Sequence, residues 1–367
     1  MRILQIAPIW ETVPPPGYGG SEAVVSVLTE ELVRRGHEVT LCASGDSQTA
    51  ADLFSVLPIS LRSGGLIESP FQYALVHVAQ SLLLAPHFDV VHNHAGPPSD
   101  LVMGLCHLVR TPMLTTLHNQ PSEDTAFIWR NYNGWYNTIS QSQLRGLGEL
   151  PNGRCAGVVY NGIDVNSFPF RAGNDGYVLF LGRLGPQKAP HLAIEAARKA
   201  DVPVVLAGKA SAWDEIEYYE QVLQPLIDGH NVRFVGEADA SIKRELYAGA
   251  AATLVPVQWE EPFGLVVVES LACGTPVVAF PRGAIPELVE DGVTGFLVDD
   301  VDGMAEALAR LNTIDPAAGR AEVEKRFSPG ALADNYLTVY QRMLADAADA
   351  CEAVQPGQTA PRVSAYD

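Results

Sequence analysis

Residues 253–279 read TLVPVQWEEPFGLVVVESLACGTPVVA, and the expected architecture follows from this stretch. The apolar runs 253–255 and 277–279 predict two short buried strands, and residues 264–272 predict a helix that Gly274 ends. A strand, a helix and a second strand in succession form a βαβ unit, whose two strands lie parallel in one sheet. The stretch therefore predicts a parallel sheet with helices packed on its faces.

The same alternation of strand-like and helix-like runs extends along the chain in two sets. In the first set, strands are predicted at 3–7, 39–43, 90–92 and 113–117, and helices at 23–35 and 71–84. In the second set, further strands are predicted at 178–181, 204–207 and 232–235, and further helices at 189–200 and 213–228. The turn-rich segment 160–170 separates the sets. The sequence thus predicts an α/β protein with two Rossmann-like parallel-sheet domains, at 1–163 and 164–330, then a helix at 331–350 and a tail at 351–367.

Net charge and hydropathy argue against some classes of binding partner. The chain has 367 residues, of which 47% are hydrophobic, and a formal net charge of −19. This charge disfavours binding to nucleic acid or to an anionic membrane surface, although a small phosphorylated ligand needs only a few local cations. No apolar stretch of about 18 residues predicts a membrane-spanning helix.

Cysteine usage and the N-terminus predict where the protein resides. The five cysteines are odd in number and have no C-x-x-C spacing, which argues against a disulfide framework or a structural zinc site. The N-terminus enters an apolar strand at once, so no signal peptide is expected. A cytoplasmic location is therefore predicted, and nothing in the sequence indicates an oligomeric state.

Two loops at predicted strand ends are candidate phosphate sites. Gly17-Tyr-Gly-Gly-Ser-Glu22 follows the first strand and precedes a helix, so its glycines would let backbone N–H groups approach an anion. Arg183 and Lys188 follow the first strand of the second set, and two cations there suit a diphosphate. Each loop also has a simpler interpretation: the first as a flexible turn, and the second as a carrier of two solvated surface charges.

Glu261 and Glu269 are candidate sugar-binding residues. An ionised carboxylate accepts two hydrogen bonds from neighbouring hydroxyl groups, so one glutamate would bind a hexose and the other a ribose. The helix predicted to begin at Gly264 would direct its free N–H groups toward an anion. The alternative is that Glu261 caps this helix and that Glu269 lies on a solvated face.

Three histidines lie at the ends of predicted strands. His118 would face the crevice between the domains, where it would hydrogen-bond a sugar hydroxyl, act as an acid or serve a structural role. His92 and His94 are close enough in sequence to suggest a metal, but no further ligand pattern accompanies them. No metal site is therefore predicted.

These motifs resemble those of the family 4 glycosyltransferases, which retain anomeric configuration and have the GT-B fold of two Rossmann-like domains facing across a cleft. The resemblance extends to about residue 350 and is especially close to compact actinobacterial members that act in secondary metabolism. It rests on these segments: Gly19-Gly-Ser-Glu22, Arg34-Arg-Gly-His-Glu-Val-Thr40, Tyr160-Asn-Gly-Ile-Asp164, Gly182-Arg183 with Lys188, Glu261-Pro-Phe-Gly264 with Glu269, Ala272-Cys-Gly-Thr-Pro-Val-Val278 and Asp291-Gly-Val-Thr-Gly-Phe-Leu297.

The resemblance implies a role for each matching residue. Glu261 would contact the donor sugar and take part in catalysis, and His118 would lie near the same sugar. The other implied contacts are backbone N–H groups of Phe263, Gly264, Leu265 and Val266 with the sugar and diphosphate, Arg183, Lys188 and Gly20 with the diphosphate, Glu269 with the ribose, and Val235 and Gly236 with the base. The final helix would cross back onto the first domain.

Two departures from the family pattern concern the acceptor side. Arg282 stands where many relatives have a glycine, in Pro281-Arg-Gly-Ala-Ile-Pro-Glu287. The segment 125–152, which should shape the acceptor pocket, is short. Neither the acceptor nor its contacts can be carried over from the family.

The implied reaction is transfer of a hexose, with retention, from a nucleoside diphosphate sugar, with UDP as the expected nucleotide, to a hydroxyl acceptor. Arg183, Lys188 and helix N-termini would stabilise the charge on the departing diphosphate, so neither a metal nor a cofactor is expected. Two alternatives stay open: a nucleotide-sugar epimerase or hydrolase on the same fold, and a nucleotide-sugar-binding protein without catalytic activity.

Overall fold

The computed structural model describes residues 1–96, 101–121, 123–148 and 150–353. Most of the predicted tail at 351–367 lies outside the described residues, which end at position 353.

Seven parallel strands form the first sheet: β1 (Arg2–Ile6), β2 (Glu38–Cys42), β3 (Asp52–Phe54), β4 (Val90–Asn93), β5 (Met113–Leu117), β6 (Trp135–Thr138) and β7 (Arg154–Val158). Their order across the sheet is β3-β2-β1-β4-β5-β6-β7. The α-helices between them are α1 (Gly20–Arg34), α2 (Pro70–Leu84), α3 (Leu101–Leu105), α4 (Glu123–Asn131) and α5 (Gln141–Leu147).

Six parallel strands form the second sheet: β8 (Tyr177–Leu181), β9 (Val204–Ala207), β10 (Val232–Phe234), β11 (Ala250–Val255), β12 (Val277–Ala279) and β13 (Gly295–Leu297). Their order is β10-β9-β8-β11-β12-β13. The α-helices of this half are α6 (Pro190–Lys199), α7 (Trp213–Tyr218), α8 (Ala240–Gly249), α9 (Leu265–Ala272), α10 (Ile285–Leu288), α11 (Val301–Leu308), α12 (Pro316–Arg326) and α13 (Pro329–Ala353). The predicted α/β class with two Rossmann-like parallel sheets is confirmed.

The single helix predicted at 213–228 was wrong. The α-helix α7 ends at Tyr218 and continues as a π-turn over Tyr219–Leu223 and a 3-10 turn over Gln224–Leu226. Pro225 lies in that last turn. Because proline has no N–H and its ring crowds the preceding turn, a regular α-helix cannot run through this position.

Each sheet has a point at which the strand order reverses direction. In the first sheet this point lies between β1 and β4, because β2 and β3 follow on one side of β1 and β5 to β7 follow on the other side of β4. In the second sheet it lies between β8 and β11. Connections diverge at such a point and leave a crevice beyond the carboxyl ends of the strands. The loops that follow β1, β8 and β11 contain the glycine, arginine–lysine and glutamate motifs.

The last helix, α13, packs against the first sheet although it follows the second in sequence. Leu332, Tyr336 and Tyr340 belong to the same buried cluster as Ile3 and Leu28. Burial of such side chains contributes on the order of 2 kcal/mol each, so several of them hold the helix firmly in place.

Glu287 on α10 joins the two halves of the molecule. Its carboxylate accepts hydrogen bonds from the backbone N–H groups of Gln141 (2.8 Å) and Ser142 (2.6 Å) in the first turn of α5, and from the Tyr160 hydroxyl (2.9 Å). A carboxylate at a helix start satisfies N–H groups that have no partner within the helix. Arg282, the departure in the same segment, is exposed.

Candidate active site

A cavity of about 280 Å³ lies where the carboxyl ends of the two sheets meet, and both sheets contribute to its wall. Ten of the twelve predicted site residues line it: Gly20, His118, Arg183, Lys188, Glu261, Phe263, Gly264, Leu265, Val266 and Glu269. The structure therefore brings together residues that are far apart in the sequence: Gly20 and Glu269 are separated by 249 positions.

Val235 and Gly236 are the two predicted residues that the lining does not include. β10 ends at Phe234, the Val235 side chain is exposed, and the carbonyl of Gly236 accepts a hydrogen bond from the N–H of Gly208 (2.8 Å). Glu237, which comes next, does line the cavity. Contact of Val235 and Gly236 with a base stays a prediction.

Glu261 lines the cavity and is only 7% exposed. One carboxylate oxygen, Oε2, pairs with the ammonium of Lys188 and accepts a hydrogen bond from the indole N–H of Trp259 (2.9 Å). The Lys188 ammonium also lies 5.2 Å from the centre of the Trp259 ring, within the range of a cation–π contact. These contacts fix one oxygen and leave Oε1 as the atom that a ligand hydroxyl would reach.

The helix α9 begins beside Glu261. Its N-terminal cap is Gly264, whose φ of +99° lies in the region that side chains rarely adopt, and no side chain caps the helix. Glu261 is therefore not the cap of this helix. The first-turn N–H groups, at Leu265 and Val266, line the cavity and have no acceptor within the helix.

A second helix start faces the first from the other sheet. Gly20 is the first residue of α1, three positions earlier than the predicted start of that helix. A Cβ at Gly20 would lie 3.2 Å from Leu265 Cδ1, so the two helix starts approach closely. Two positive dipole ends that converge on one cavity favour an anion there.

Glu269, on α9, is 6% exposed and therefore does not lie on a solvated face. Its Oε1 pairs with Lys243 (2.6 Å), and its Oε2 accepts a hydrogen bond from the Tyr247 hydroxyl (2.9 Å). Burial and the nearby Glu269 carboxylate raise the pKa of Tyr247 well above its ordinary value of 10.0. The Tyr247 hydroxyl therefore stays protonated and donates a hydrogen bond to Glu269. Both oxygens of Glu269 are thus held in a fixed orientation.

Every cation on the cavity wall has a carboxylate partner. Besides the pairs of Lys188 and Lys243, Arg183 pairs with Glu215 (2.6 Å), and Lys209 pairs with Glu237 (2.7 Å). These side chains are therefore not freely solvated charges. A phosphate that enters the cavity meets cations whose positions are already set, which lowers the entropy cost of binding it.

His118 is partly exposed to the cavity, and its Nε2 lies 3.0 Å from Nδ1 of His94. Burial lowers the pKa of His118 from 6.5 to about 4. The ring is therefore neutral near pH 7. Contact of His118 with a sugar hydroxyl and its role as an acid both stay predictions.

Buried histidines make stability depend on pH in a defined direction. Burial lowers the pKa of His77 and His118 to about 4, and those of His92 and His94 to well below 6.5. Since the unfolded chain binds these protons near pH 6.5 and the folded chain does not, stability falls as the pH drops from 6.5 toward 4. Glu22 acts in the opposite direction, because burial raises its pKa from 4.5 to about 7.

We expect the free energy of unfolding to decrease between pH 7.0 and pH 5.5, because the lowered pKa values of the four buried histidines outweigh the raised pKa of Glu22. Guanidinium chloride unfolding at the two pH values measures this change. Glu22→Gln should enlarge the decrease, because it removes the offsetting group. Unchanged or increased stability at pH 5.5 would contradict the predicted charge states.

Tyr18, Lys209 and Lys243 are among the wall residues that were not predicted as site residues. The Tyr18 ring lies under the Lys209 ammonium, 5.3 Å from the ring centre. Lys243 lies on α8, a helix that was not predicted from the sequence. Its position one turn before Tyr247 is the only sequence signal that could have suggested the shared contact with Glu269.

Within the described part of the chain, no group of three or more His, Cys, Asp and Glu side chains could hold a metal ion. His92 and His94 are instead hydrogen-bonded to neighbouring polar side chains, namely Tyr340, Thr116, Gln5 and His118.

Two Rossmann-like sheets that meet at a cavity with converging helix starts are the architecture of the GT-B fold. Comparison with known families agrees with this fold. The family described as "Glycosyl transferases group 1" matches residues 165–327, and the family described as "Glycosyltransferase Family 4" matches residues 18–167.

Known relatives and solved structures show the same similarity. The chain is 31% identical over 334 residues to a phosphatidyl-myo-inositol mannosyltransferase of Mycolicibacterium smegmatis, covering 84% of each chain. It resembles the solved structure of AviGT4, a glycosyltransferase involved in avilamycin A biosynthesis, with 25% identity, a TM-score of 0.71 and coverage of 94% of this chain and 98% of that one. A sucrose-phosphate synthase from Thermosynechococcus elongatus has the same fold, with 23% identity, a TM-score of 0.74 and coverage of 94% and 99%.

The chain belongs to the family 4 glycosyltransferases and is a glycosyltransferase with the GT-B fold. No helix among residues 1–96, 101–121, 123–148 and 150–353 is both long and apolar enough to span a membrane.

Proposed function

We propose that this glycosyltransferase transfers a hexose, with retention of configuration, from UDP-hexose to a hydroxyl acceptor. The observation that carries the proposal is the meeting of Arg183, Lys188 and two helix starts in one cavity, beside the buried carboxylates of Glu261 and Glu269. The name of the 31% identical relative, a mannosyltransferase acting on phosphatidyl-myo-inositol, supports both a hexose and a hydroxyl-bearing acceptor.

The cationic part of the cavity suits the diphosphate. Arg183 offers a planar fork of donors and Lys188 a compact charge, and both are preoriented by their carboxylate partners. As the glycosidic bond breaks, negative charge accumulates on the departing diphosphate. Fixed cations and N–H groups aimed at that charge lower the barrier without reorganising during the reaction.

The two glutamates suit two different diols. Glu269 is oriented by Lys243 and Tyr247, and each of its oxygens has a further lone pair for a ribose hydroxyl. Glu261 lies in the loop before α9, and its contacts with Lys188 and Trp259 both use Oε2, which leaves Oε1 for a hydroxyl of the hexose. In this proposal the ribose lies at one end of the diphosphate and the hexose at the other.

The remaining wall supports exclusion of water during transfer. The loop before α1 reaches the second half of the molecule, where the carbonyl of Pro16 accepts a hydrogen bond from the N–H of Ala240 (3.1 Å). A cavity closed on this side limits hydrolysis of the donor. Retention then follows from attack by the acceptor hydroxyl on the face that the diphosphate leaves, with Glu261 stabilising the positive charge that develops on the sugar.

A thermal-unfolding panel tests the donor assignment. UDP, GDP, TDP and ADP, each alone and as its hexose conjugate, are added to the wild-type protein. We expect UDP and UDP-hexose to stabilise the protein, by about 2.7 kcal/mol at 100 times the dissociation constant. Stabilisation by GDP alone would move the assignment to another nucleotide, and no stabilisation by any of the eight ligands would contradict the proposal.

Proton NMR of the products tests the stereochemistry. The α-linked sugar of the donor should appear first as an α-configured product, in the presence of an acceptor or as slowly released free sugar. A β-configured first product would contradict retention. A donor with changed sugar stereochemistry would favour the epimerase, and rapid release of free sugar that acceptors do not suppress would favour the hydrolase.

A further inference from the structure

Two histidines and a glutamine form a polar chain behind the cavity. Gln5 lies on β1, His94 directly follows β4, and His118 directly follows β5. Nε2 of His94 lies 2.7 Å from Oε1 of Gln5, and Nδ1 of His94 lies 3.0 Å from Nε2 of His118. Gln5 and His94 are almost fully buried, whereas His118 reaches the cavity wall.

The proton positions in this chain follow from one fixed acceptor. With the amide oriented so that Oε1 of Gln5 faces His94, that oxygen can only accept, and Nε2 of His94 carries the proton. A neutral His94 then has its lone pair on Nδ1 and accepts a hydrogen bond from Nε2–H of His118. The second nitrogen of His118, Nδ1, consequently has a lone pair and no proton.

These proton positions require the rings of His94 and His118 to be neutral, and burial keeps them neutral. Desolvation lowers the pKa of His118 to about 4 and that of His94 to well below 6.5, and the nearby His92 and His118 rings lower the pKa of His94 further. An imidazolium at His94 would direct its Nδ1–H against the Nε2–H of His118, and an imidazolium at His118 would carry a proton on Nδ1 and could not accept a hydrogen bond there.

The neighbouring network keeps His92 out of this chain. Thr116 donates its hydroxyl hydrogen to Asn137 (2.7 Å) and therefore accepts from Nε2–H of His92 (2.7 Å). Nδ1 of His92 then accepts from the hydroxyl of Tyr340 (2.6 Å) on α13. Both ring nitrogens of His92 are therefore hydrogen-bonded to other residues. The His92 ring packs against the His94 ring, with ring centres 3.8 Å apart, and forms no hydrogen bond with it.

We propose that Gln5 and His94 are positioning residues that hold His118 as its neutral Nε2–H tautomer, so that Nδ1 accepts a hydrogen bond from a hydroxyl of the bound sugar. This inference rests on the proposed function for the identity of the ligand. The tautomer itself is a property of the ligand-free protein and can be measured without a donor.

Nitrogen-15 NMR of the histidine-labelled wild-type protein at pH 7.5 reads the tautomer directly. Each neutral ring gives separate signals for its protonated and unprotonated nitrogen, and His118→Ala assigns the signals of that residue. We expect a protonated Nε2 and an unprotonated Nδ1 for His118. A protonated Nδ1, or two protonated nitrogens, would overturn the proposal whether or not the protein transfers a sugar.

Kinetics of a double-mutant set test the connection to the reaction. His94→Leu removes the acceptor for His118, and we expect it to lower kcat by about 10-fold, the effect of one misplaced hydrogen bond. His94→Asn places an amide oxygen near the position of Nδ1 and should restore most of this loss. In the background of His118→Ala, His94→Leu should have little further effect, because it acts through His118.

Additive losses in the double variant would show that His94 supports the structure generally and would overturn the positioning role. Absence of turnover in the wild-type protein would instead count against the proposed function, and the NMR result would still decide the tautomer. If His94→Leu does not fold, the nitrogen-15 spectrum of the wild-type protein and the kcat of His94→Asn test the proposal instead.

Discussion

Lys188→Ala should reduce kcat/KM for sugar transfer by about 1000-fold. Lys188 supplies a fixed positive charge at the cavity and also holds Oε2 of Glu261, so its loss removes transition-state stabilisation at the diphosphate and loosens the sugar contact. Removal of a single preorganised donor at a developing charge typically costs on the order of 100- to 1000-fold in rate. Initial rates of nucleoside diphosphate release measure this loss.

A matched control separates this effect from a general loss of positive charge. Lys199 lies at the end of α6, pairs with the exposed Asp302 and is absent from the cavity wall. Lys199→Ala should change kcat/KM by less than twofold, because exposed ion pairs contribute little. Equal rates for Lys188→Ala and the wild-type protein would exclude Lys188 from the reaction.

Glu269→Gln should weaken nucleoside diphosphate binding by about 100-fold. The carboxylate would lose its charge, and hydrogen bonds from ribose hydroxyls to a charged acceptor are worth roughly 1.5–3 kcal/mol. Comparison of UDP with its 2′-deoxy analogue localises the effect. The wild-type protein should bind UDP more tightly than the deoxy analogue, and Glu269→Gln should bind the two with similar affinity.

The control for this variant is Glu306→Gln, at an exposed position on α11 outside the cavity wall. It should leave both dissociation constants unchanged. If Glu269→Gln keeps the preference for UDP over the deoxy analogue, the ribose is bound elsewhere and the assignment of Glu269 is wrong.

The long apolar strands of both sheets could be predicted because their periodicity is unambiguous. Met113–Leu117 and Val204–Ala207 have the predicted bounds, and β1 is shifted by one residue. The strand β6 was missed because Trp135–Thr138 contains two polar residues. Asn137 and Thr138 are nonetheless fully buried, since Asn137 accepts a hydrogen bond from Thr116 and donates one to the carbonyl of Thr138.

The members of the site could be predicted, but not their mutual contacts. Glycines and charged residues after strands identify positions near a switch point, since parallel strands end at the same edge. The pairing of Lys188 with Glu261 spans 73 positions and that of Lys243 with Glu269 spans 26. Such pairings depend on how helices pack on the sheet, and no local sequence rule contains that information.

Titration calorimetry of nucleoside diphosphates tests the central claim, that the cavity between the two sheets binds the donor. UDP, GDP, TDP and ADP are titrated separately into the wild-type protein and into Lys188→Ala. We expect saturable one-to-one binding of UDP to the wild-type protein and at least tenfold weaker binding to Lys188→Ala. Absence of binding by all four nucleotides, or equal affinity in the two proteins, would contradict it.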